Sequence, residues 1–140
     1  MLTFPQLCLG LVEKTLTEHS RAVLSVISLS DGRIASGSAD TTIKIWDTQS
    51  GKSTHTLKGH NKTVSFLTEL KDGRIASASR DKTIKLWELI KYTCIVTLTG
   101  HNNYVYTVIQ LSDGNLLSGS DDSSIKLWDI NSQQCIHTIN

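Results

Sequence analysis

One interval governs this chain. His19, His60 and His101 stand 41 residues apart, and so do Asp31, Asp72 and Asp113, then Asp40, Asp81 and Asp122, then Trp46, Trp87 and Trp128. Residues 19–59 and 60–100 agree at 18 of 41 positions without a gap. A strict period of this length means a repeat architecture, in which each unit buries its apolar face only against its neighbours. The 140 residues are therefore read as an array of one small unit, not as one irregular domain.

Inside a period the apolar pattern alternates every second residue. In the middle repeat, residues 64–70 end at Lys71-Asp72-Gly73, a strong turn signal. Residues 74–79 (RIASAS) follow, then the polar turn Arg80-Asp81-Lys82, then residues 83–88 (TIKLWE), a polar link, and the fourth stretch, residues 94–98. A period of two is a strand pattern. Thr, Val and Ile are abundant and long helical spacing is absent, which also favours strands. Four antiparallel strands per period are predicted.

Composition narrows the function classes. Net charge is only +1, which removes the broad electrostatic case for nucleic acid or an anionic membrane as partner. The apolar start, residues 1–12, has no Lys or Arg ahead of it and no small-residue cleavage site after it, so it does not read as a signal peptide, and it is too short to span a bilayer. Asn61-Lys62-Thr63 fits the glycosylation acceptor pattern, which matters only in a secreted chain. Cys94 and Cys135 occupy one repeat position and, with Cys8, are read as small hydrophobes in a reducing compartment. A cytoplasmic location is expected, with the nucleus open. Neither zinc-type ligand spacing nor a phosphate-binding Gly-rich loop occurs. No metal and no cofactor is expected.

Gly59-His60 and Gly100-His101, each followed about 28 residues later by Trp with Glu88 or Asp129 after it, and by Asp-Gly and Ser-x-Ser-x-Asp between, resemble the WD40 repeat of β-propellers. The first repeat has Glu18-His19 and Trp46-Asp47. The resemblance implies an all-β propeller arc: three four-stranded antiparallel blades over about residues 22–57, 63–98 and 104–139. A spare strand at 12–16 and a tail at 1–11 complete a repeat region of residues 12–140. One departure stands out. Where the family often has an aromatic residue three before Asp-Gly, this chain has Ser28, Glu69 and Gln110, each followed by Leu. A local shift in the packing of each first strand is the expectation.

Ser, His and Asp recur in each repeat, as Ser36, His19 and Asp40, Ser77, His60 and Asp81, and Ser118, His101 and Asp122. A hydrolase triad uses the same residue types. A nucleophile site is built once, however, and these sets occur three times, each with a Trp. The resemblance implies instead a buried hydrogen-bond relay from the indole N–H of Trp46, Trp87 or Trp128 through Ser and His to Asp, with Ser77 or Ser79 as the hydroxyl of the middle repeat. Such a chain satisfies every polar group in it. Lys44, Lys85 and Lys126 are read as solvent-side strand residues.

Positions that vary between repeats are free to build a particular surface. By resemblance, the loop after His and the turn before Asp surround one mouth of the propeller channel. The residues expected there are Arg21, Lys62, Arg80, Asn103, Tyr104, Tyr106 and Asp121. Tyr and Arg are enriched in binding hot spots. Arg21, Lys62 and Arg80 form a small basic set suited to an acidic or phosphorylated peptide.

Propellers have about 4–8 blades, and three do not close a ring. The open faces are covered by further blades of a longer chain or by a second copy completing six blades, or they stay bare in an unstable arc. The longer chain is preferred, because a dimer leaves two spare strands at 12–16. The function expected is a non-catalytic protein–protein interaction scaffold. The alternatives are a substrate-recognition module of a multidomain enzyme or ubiquitin-ligase adaptor, and a soluble enzyme using the Ser-His-Asp sets.

Overall fold

A computed structural model describes residues 14–140. The twelve strands form three separate antiparallel sheets, each in simple sequence order. The first sheet holds β1 (Val23–Ser28), β2 (Ile34–Ser38), β3 (Ile43–Trp46) and β4 (Ser53–Leu57). The second holds β5 (Val64–Glu69), β6 (Ile75–Ser79), β7 (Ile84–Glu88) and β8 (Thr93–Leu98). The third holds β9 (Val105–Gln110), β10 (Leu116–Ser120), β11 (Ile125–Asp129) and β12 (Gln134–Ile139). These are the four antiparallel strands per period that the alternating pattern predicts, arranged as the three blades that the resemblance implies.

The turns explain why the strands stop where they do. Each Asp-Gly turn closes between the Leu before it and the residue after it: Leu70 N–H donates to Arg74 O, and Gly73 N–H to Leu70 O. Gly73 has φ +82°, a left-handed conformation that glycine adopts without a Cβ penalty. At the opposite end of each blade, Thr41, Lys82 and Ser123 take positive φ in the turn that follows the relay Asp. That Asp accepts the N–H two residues on, which holds the turn. The inner strands carry a bulge near their starts, at Val23/Ser25 and Val64/Phe66 and, in the third blade, opposite Gly119/Ser120. Bulges increase local twist, as a propeller blade requires.

The core lies between sheets, not within one. One cluster joins Leu29, Ala35, Ile43, Ile45 and Leu57 of the first blade to Val64, Leu67, Ile75 and Trp87 of the second. The other joins Leu70, Ala76, Ala78, Ile84, Leu86, Val96 and Leu98 of the second to Val105, Val108, Leu116 and Trp128 of the third. Each blade thus has a leading face toward the blade before it and a trailing face toward the blade after it. The small residues of the RIASAS-type strand let the sheets approach closely. A Cβ at Gly37 would lie 2.7 Å from Val64 Cγ1.

The spare strand expected at 12–16 is not there in the part that is described. Residues 12 and 13 and the tail at 1–11 lie outside the described residues, and residues 14–16 carry no strand. A β-strand needs a ladder partner for its N–H and C=O groups. The leading face of the first blade offers side chains, not a free strand edge. The recurring strand lysines lie half-buried across the β3–β4 type hairpin, where Lys44, Lys85 and Lys126 donate to the hydroxyls of Thr56, Thr97 and Thr138 at 3.0, 2.8 and 2.9 Å.

Candidate functional site

The relay groups meet in all three blades. In the second, Trp87 Nε1 donates to Ser77 Oγ at 2.8 Å, Ser77 Oγ lies 2.7 Å from His60 Nε2, and His60 Nδ1 lies 2.7 Å from Asp81 Oδ2. The distances for Trp46, Ser36, His19 and Asp40 are 2.7, 2.7 and 2.7 Å. For Trp128, Ser118, His101 and Asp122 they are 2.8, 2.7 and 2.8 Å. Since the hydroxyl accepts from the indole, its own proton points to Nε2, and Nδ1–H is left to donate to the carboxylate. The hydroxyl is Ser77 and not Ser79. Ser79 Oγ instead accepts Asp81 N–H at 3.1 Å and donates to Lys62 O at 3.3 Å, so it braces the turn.

Each relay Asp does more than the sequence pattern suggests. Asp81 also accepts from the N–H of Asn61 at 3.0 Å and from the N–H and hydroxyl of Thr83 at 3.0 and 2.6 Å. Thr42 and Ser124 do the same for Asp40 and Asp122. The signal was present as Asp-x-Thr or Asp-x-Ser. Burial is the largest influence on these carboxyls and acts to raise their pKa, but the hydrogen bonds from His60, Thr83 and Asn61 on Asp81, and their counterparts on Asp40 and Asp122, outweigh it. All three are held well below the usual carboxylate range. Ser77 is fully buried, with its oxygen occupied by an indole on one side and an imidazole on the other. Such an oxygen ties a strand to a loop and is not presented to a substrate.

The variable residues fall at the end of the arc where the relay turns lie. There the structure brings Lys62 and Arg80 of the second blade against Tyr104 of the third. Lys62 Nζ lies 5.4 Å and the Arg80 guanidinium carbon 5.8 Å from the Tyr104 ring centroid. Both are cation–π distances. Asn103 and Asp121 form a second pair: Asn103 Nδ2 donates to Asp121 Oδ2 at 2.8 Å, and Asn103 Oδ1 accepts Tyr104 N–H. Arg21 is exposed and is not joined to Lys62 and Arg80 among the described contacts. The reason is one residue: Thr63 stands where Tyr104 stands one repeat later, so no ring face waits for Arg21. Tyr106 is exposed on the inner strand β9.

Two inter-blade links escape the sequence reading. Glu69 reaches back to the first blade, where its carboxylate accepts Ser30 N–H at 2.9 Å and the Ser30 hydroxyl at 2.8 Å. Gln110 does the same one repeat on, with Oε1 accepting Lys71 N–H at 2.9 Å and Nε2 donating to Gly114 O at 3.0 Å. The polar residues found where an aromatic was expected are thus hydrogen-bonding latches between blades. The second link is a stack of His55 on Tyr92, with ring centroids 3.4 Å apart and planes 8° from parallel. Arg33 donates to the Tyr92 hydroxyl at 2.7 Å while its guanidinium also binds Asp31. No periodic signal marks this pair, because Val96 and Gln133 replace His55 and Tyr92 in the next repeat.

Comparison with known proteins agrees with this geometry. Two solved structures, "Structure of U3-55K" and "Crystal structure of RRP9 WD40 repeats", each superpose with a TM-score of 0.83 at 27% identity over 90% of this chain. The chain spans 41% of each of those proteins. A stretch of 39 residues is 62% identical to the vegetative incompatibility protein HET-E-1 of Podospora anserina, which is 27% of this chain and 3% of that relative. The profile of the WD domain, G-beta repeat, matches residues 10–47, 51–88 and 92–129, the second and third frames each taking the outer strand of one blade with three strands of the next. With three tandem matches over most of its length, the chain belongs to the WD40 repeat family.

Proposed function

We propose that this chain is a non-catalytic protein–protein interaction scaffold that binds an acidic or phosphorylated peptide at the end of the arc carrying the relay turns. The observation that carries this reading is Tyr104 bracketed by Lys62 and Arg80 across the boundary between the second and third blades. A ring flanked by two cations offers a flat apolar contact and two charge-assisted donors within one small patch. Asn103, bonded to the Tyr104 N–H, also holds the Asp121 carboxylate, which disfavours an anionic group beside it. The relay Ser, His and Asp are assigned to holding the blades, since their polar groups are already spent on one another.

The WD40 repeats of this family support an interaction role. A second reading keeps the same patch but makes it the substrate-recognition module of a multidomain enzyme or ubiquitin-ligase adaptor. It is favoured by the length of a curated relative: the 39-residue stretch matched in HET-E-1 is 3% of that protein, so a segment of this kind sits there in a much longer chain.

The test is fluorescence anisotropy with a labelled peptide carrying one phosphoserine among glutamates. Binding is expected to weaken about ten-fold in Arg80→Ala and in Tyr104→Ala, to fall with added salt, and to be unchanged in Lys91→Ala, an exposed lysine on a different turn. Equal binding by all variants would overturn the reading. A serine-reactive phosphonate is expected to leave Ser36, Ser77 and Ser118 unlabelled, and labelling would return the enzyme reading.

A further inference from the structure

The turn that follows each Trp is held in two different ways. In the first and third blades its opening Asp braces it. The Asp47 carboxylate accepts the Ser50 N–H, and the Asp129 carboxylate accepts the Asn131 N–H at 2.9 Å and the Ser132 hydroxyl at 2.8 Å. The second blade has Glu88 there, one methylene longer, and among the described residues its carboxylate is spent on no such bond and no ion pair. Tyr92 ties this turn down instead, by its stack on His55 and its bond from Arg33. The Glu88 side chain lines a cleft of about 280 Å³ at the Asp-Gly end of the boundary between the first two blades.

The charges of that cleft do not balance. Arg33 and Arg74 both line it, but each guanidinium is paired with its own turn carboxylate, Asp31 or Asp72, at 2.8 Å. Glu69 lines it too, and its carboxylate is held only by the uncharged N–H and hydroxyl of Ser30. Glu69 and Glu88 thus share one cleft without a cation of their own among the described residues. At the rim Ile90 is 84% exposed, where the other blades carry the polar Gln49 and Asn131. The equivalent cleft at the second boundary is a built-in contrast. It holds about 180 Å³, has Gln110 and Asn131 in the places of Glu69 and Ile90, and its Asp129 is spent on the turn.

We infer that the cleft at the first boundary binds an arginine side chain of a partner protein, with an aliphatic residue beside that arginine lying on Ile90. A guanidinium carries five N–H donors in a planar fork and can serve two carboxylates at once, where an ammonium is a compact point charge. The volume takes one side chain and falls just below the about 300–1,000 Å³ of small-molecule pockets. The aliphatic neighbour removes Ile90 from water and fixes the approach of the segment. This site lies at the opposite end of the blades from Lys62, Tyr104 and Arg80 and has the opposite charge preference. It stands independently of the phosphopeptide patch.

The probe is a fluorescein-labelled peptide with one arginine between two leucines, flanked by glycine and serine, beside a twin in which citrulline replaces the arginine. Citrulline keeps the shape and removes the charge. Fluorescence anisotropy is expected to show the arginine peptide binding the wild-type chain about ten-fold more tightly than its twin, the effect of one charge-assisted hydrogen bond. Glu88→Gln is expected to lose the same ten-fold. Glu88→Asp, which keeps the charge but restores the side chain that braces the sibling turns, is expected to weaken binding as well. Ile90→Asn is expected to weaken both peptides alike. Asp113→Asn, the same change of charge at the same end of the next boundary, and Arg80→Ala, in the phosphopeptide patch, are expected to leave binding unchanged. The inference is overturned by an arginine peptide that does not bind, by equal binding of the citrulline twin, by Glu88→Gln binding as wild type, or by an equal loss in Asp113→Asn.

Discussion

The Trp87 indole nitrogen and the Ser77 hydroxyl lie 2.8 Å apart, and the same oxygen meets His60 at 2.7 Å. Two buried rings therefore depend on one atom. In Ser77→Ala both the indole N–H and His60 Nε2 lose their partner at once, and an orphaned buried polar group costs about 1–3 kcal/mol. Ser77→Ala is expected to lower the melting temperature more than Ser79→Ala, because Ser79 braces a turn whose Asp81 keeps its other bonds. Thermal unfolding by circular dichroism checks the order, and equal losses would mean the relay is not what holds the second blade.

Stability is expected to fall as the solution is acidified through the carboxylate range. An unfolded Asp titrates near about pH 3.9, while Asp40, Asp81 and Asp122 are held well below that value by the bonds that outweigh their burial. Between the two values the unfolded chain has taken up protons that the folded chain refuses. The stabilisation is thus fully present above about pH 4 and is lost as pH falls toward the folded values. Melting temperatures at pH 5, 4 and 3 should decline, and Asp81→Asn, which has no carboxyl to titrate, should give a shallower decline. A profile flat from pH 5 to 3 would contradict the assignment.

What could be read from the sequence follows from what a repeat makes redundant. The four strands of each period were legible because three copies state the same alternating pattern, whereas the blades and the meeting of His60, Asp81 and Trp87 were legible only through the resemblance to the WD40 repeat. The choice between Ser77 and Ser79 was not legible, since both share a strand face and only the depth of the His60 ring separates them. The latch residues Glu69 and Gln110 were visible as a departure from the family pattern, but their partners lie 39 residues back, across a blade boundary. The His55–Tyr92 stack and the Lys62–Tyr104–Arg80 bracket each occur once, so periodicity could not reveal them. Arg21 looked equivalent to Lys62 by position and is not so in space, because what matters is the residue on the next blade.

Gly37 and Gly119 occupy one repeat position but face different surroundings. A Cβ at Gly37 would meet Val64 Cγ1 at 2.7 Å and Leu67 Cγ at 3.4 Å, both belonging to the next blade, whereas at Gly119 only the Thr107 methyl of its own blade comes near, at 3.1 Å. Gly37→Ala is expected to cost about 1–3 kcal/mol through overpacking. Gly119→Ala is expected to cost less, since one exposed methyl can give way. Urea denaturation of the two variants checks the difference. Equal costs would show that the first blade boundary has enough slack to take up the added methyl.

Tyr92 joins a strained backbone to an inter-blade contact, so different substitutions there separate the two effects. Its φ of +56° lies in the left-handed region, which a residue with a Cβ occupies at a cost of about 1–2 kcal/mol. Against that cost the side chain stacks on His55 of the first blade and accepts from Arg33. An aromatic pair contributes about 0.5–1.5 kcal/mol. Tyr92→Phe keeps the stack and is expected to stay within about 1 kcal/mol of wild type. Tyr92→Ala keeps the strain and loses the stack, and is expected to be the least stable of the three variants. Tyr92→Gly loses the stack but relieves the strain, which places it between the other two. Urea midpoints give the order directly. If Tyr92→Ala matched Tyr92→Phe, the His55 stack would contribute nothing to holding the first two blades together, and their boundary would rest on the apolar core and the Glu69 latch alone.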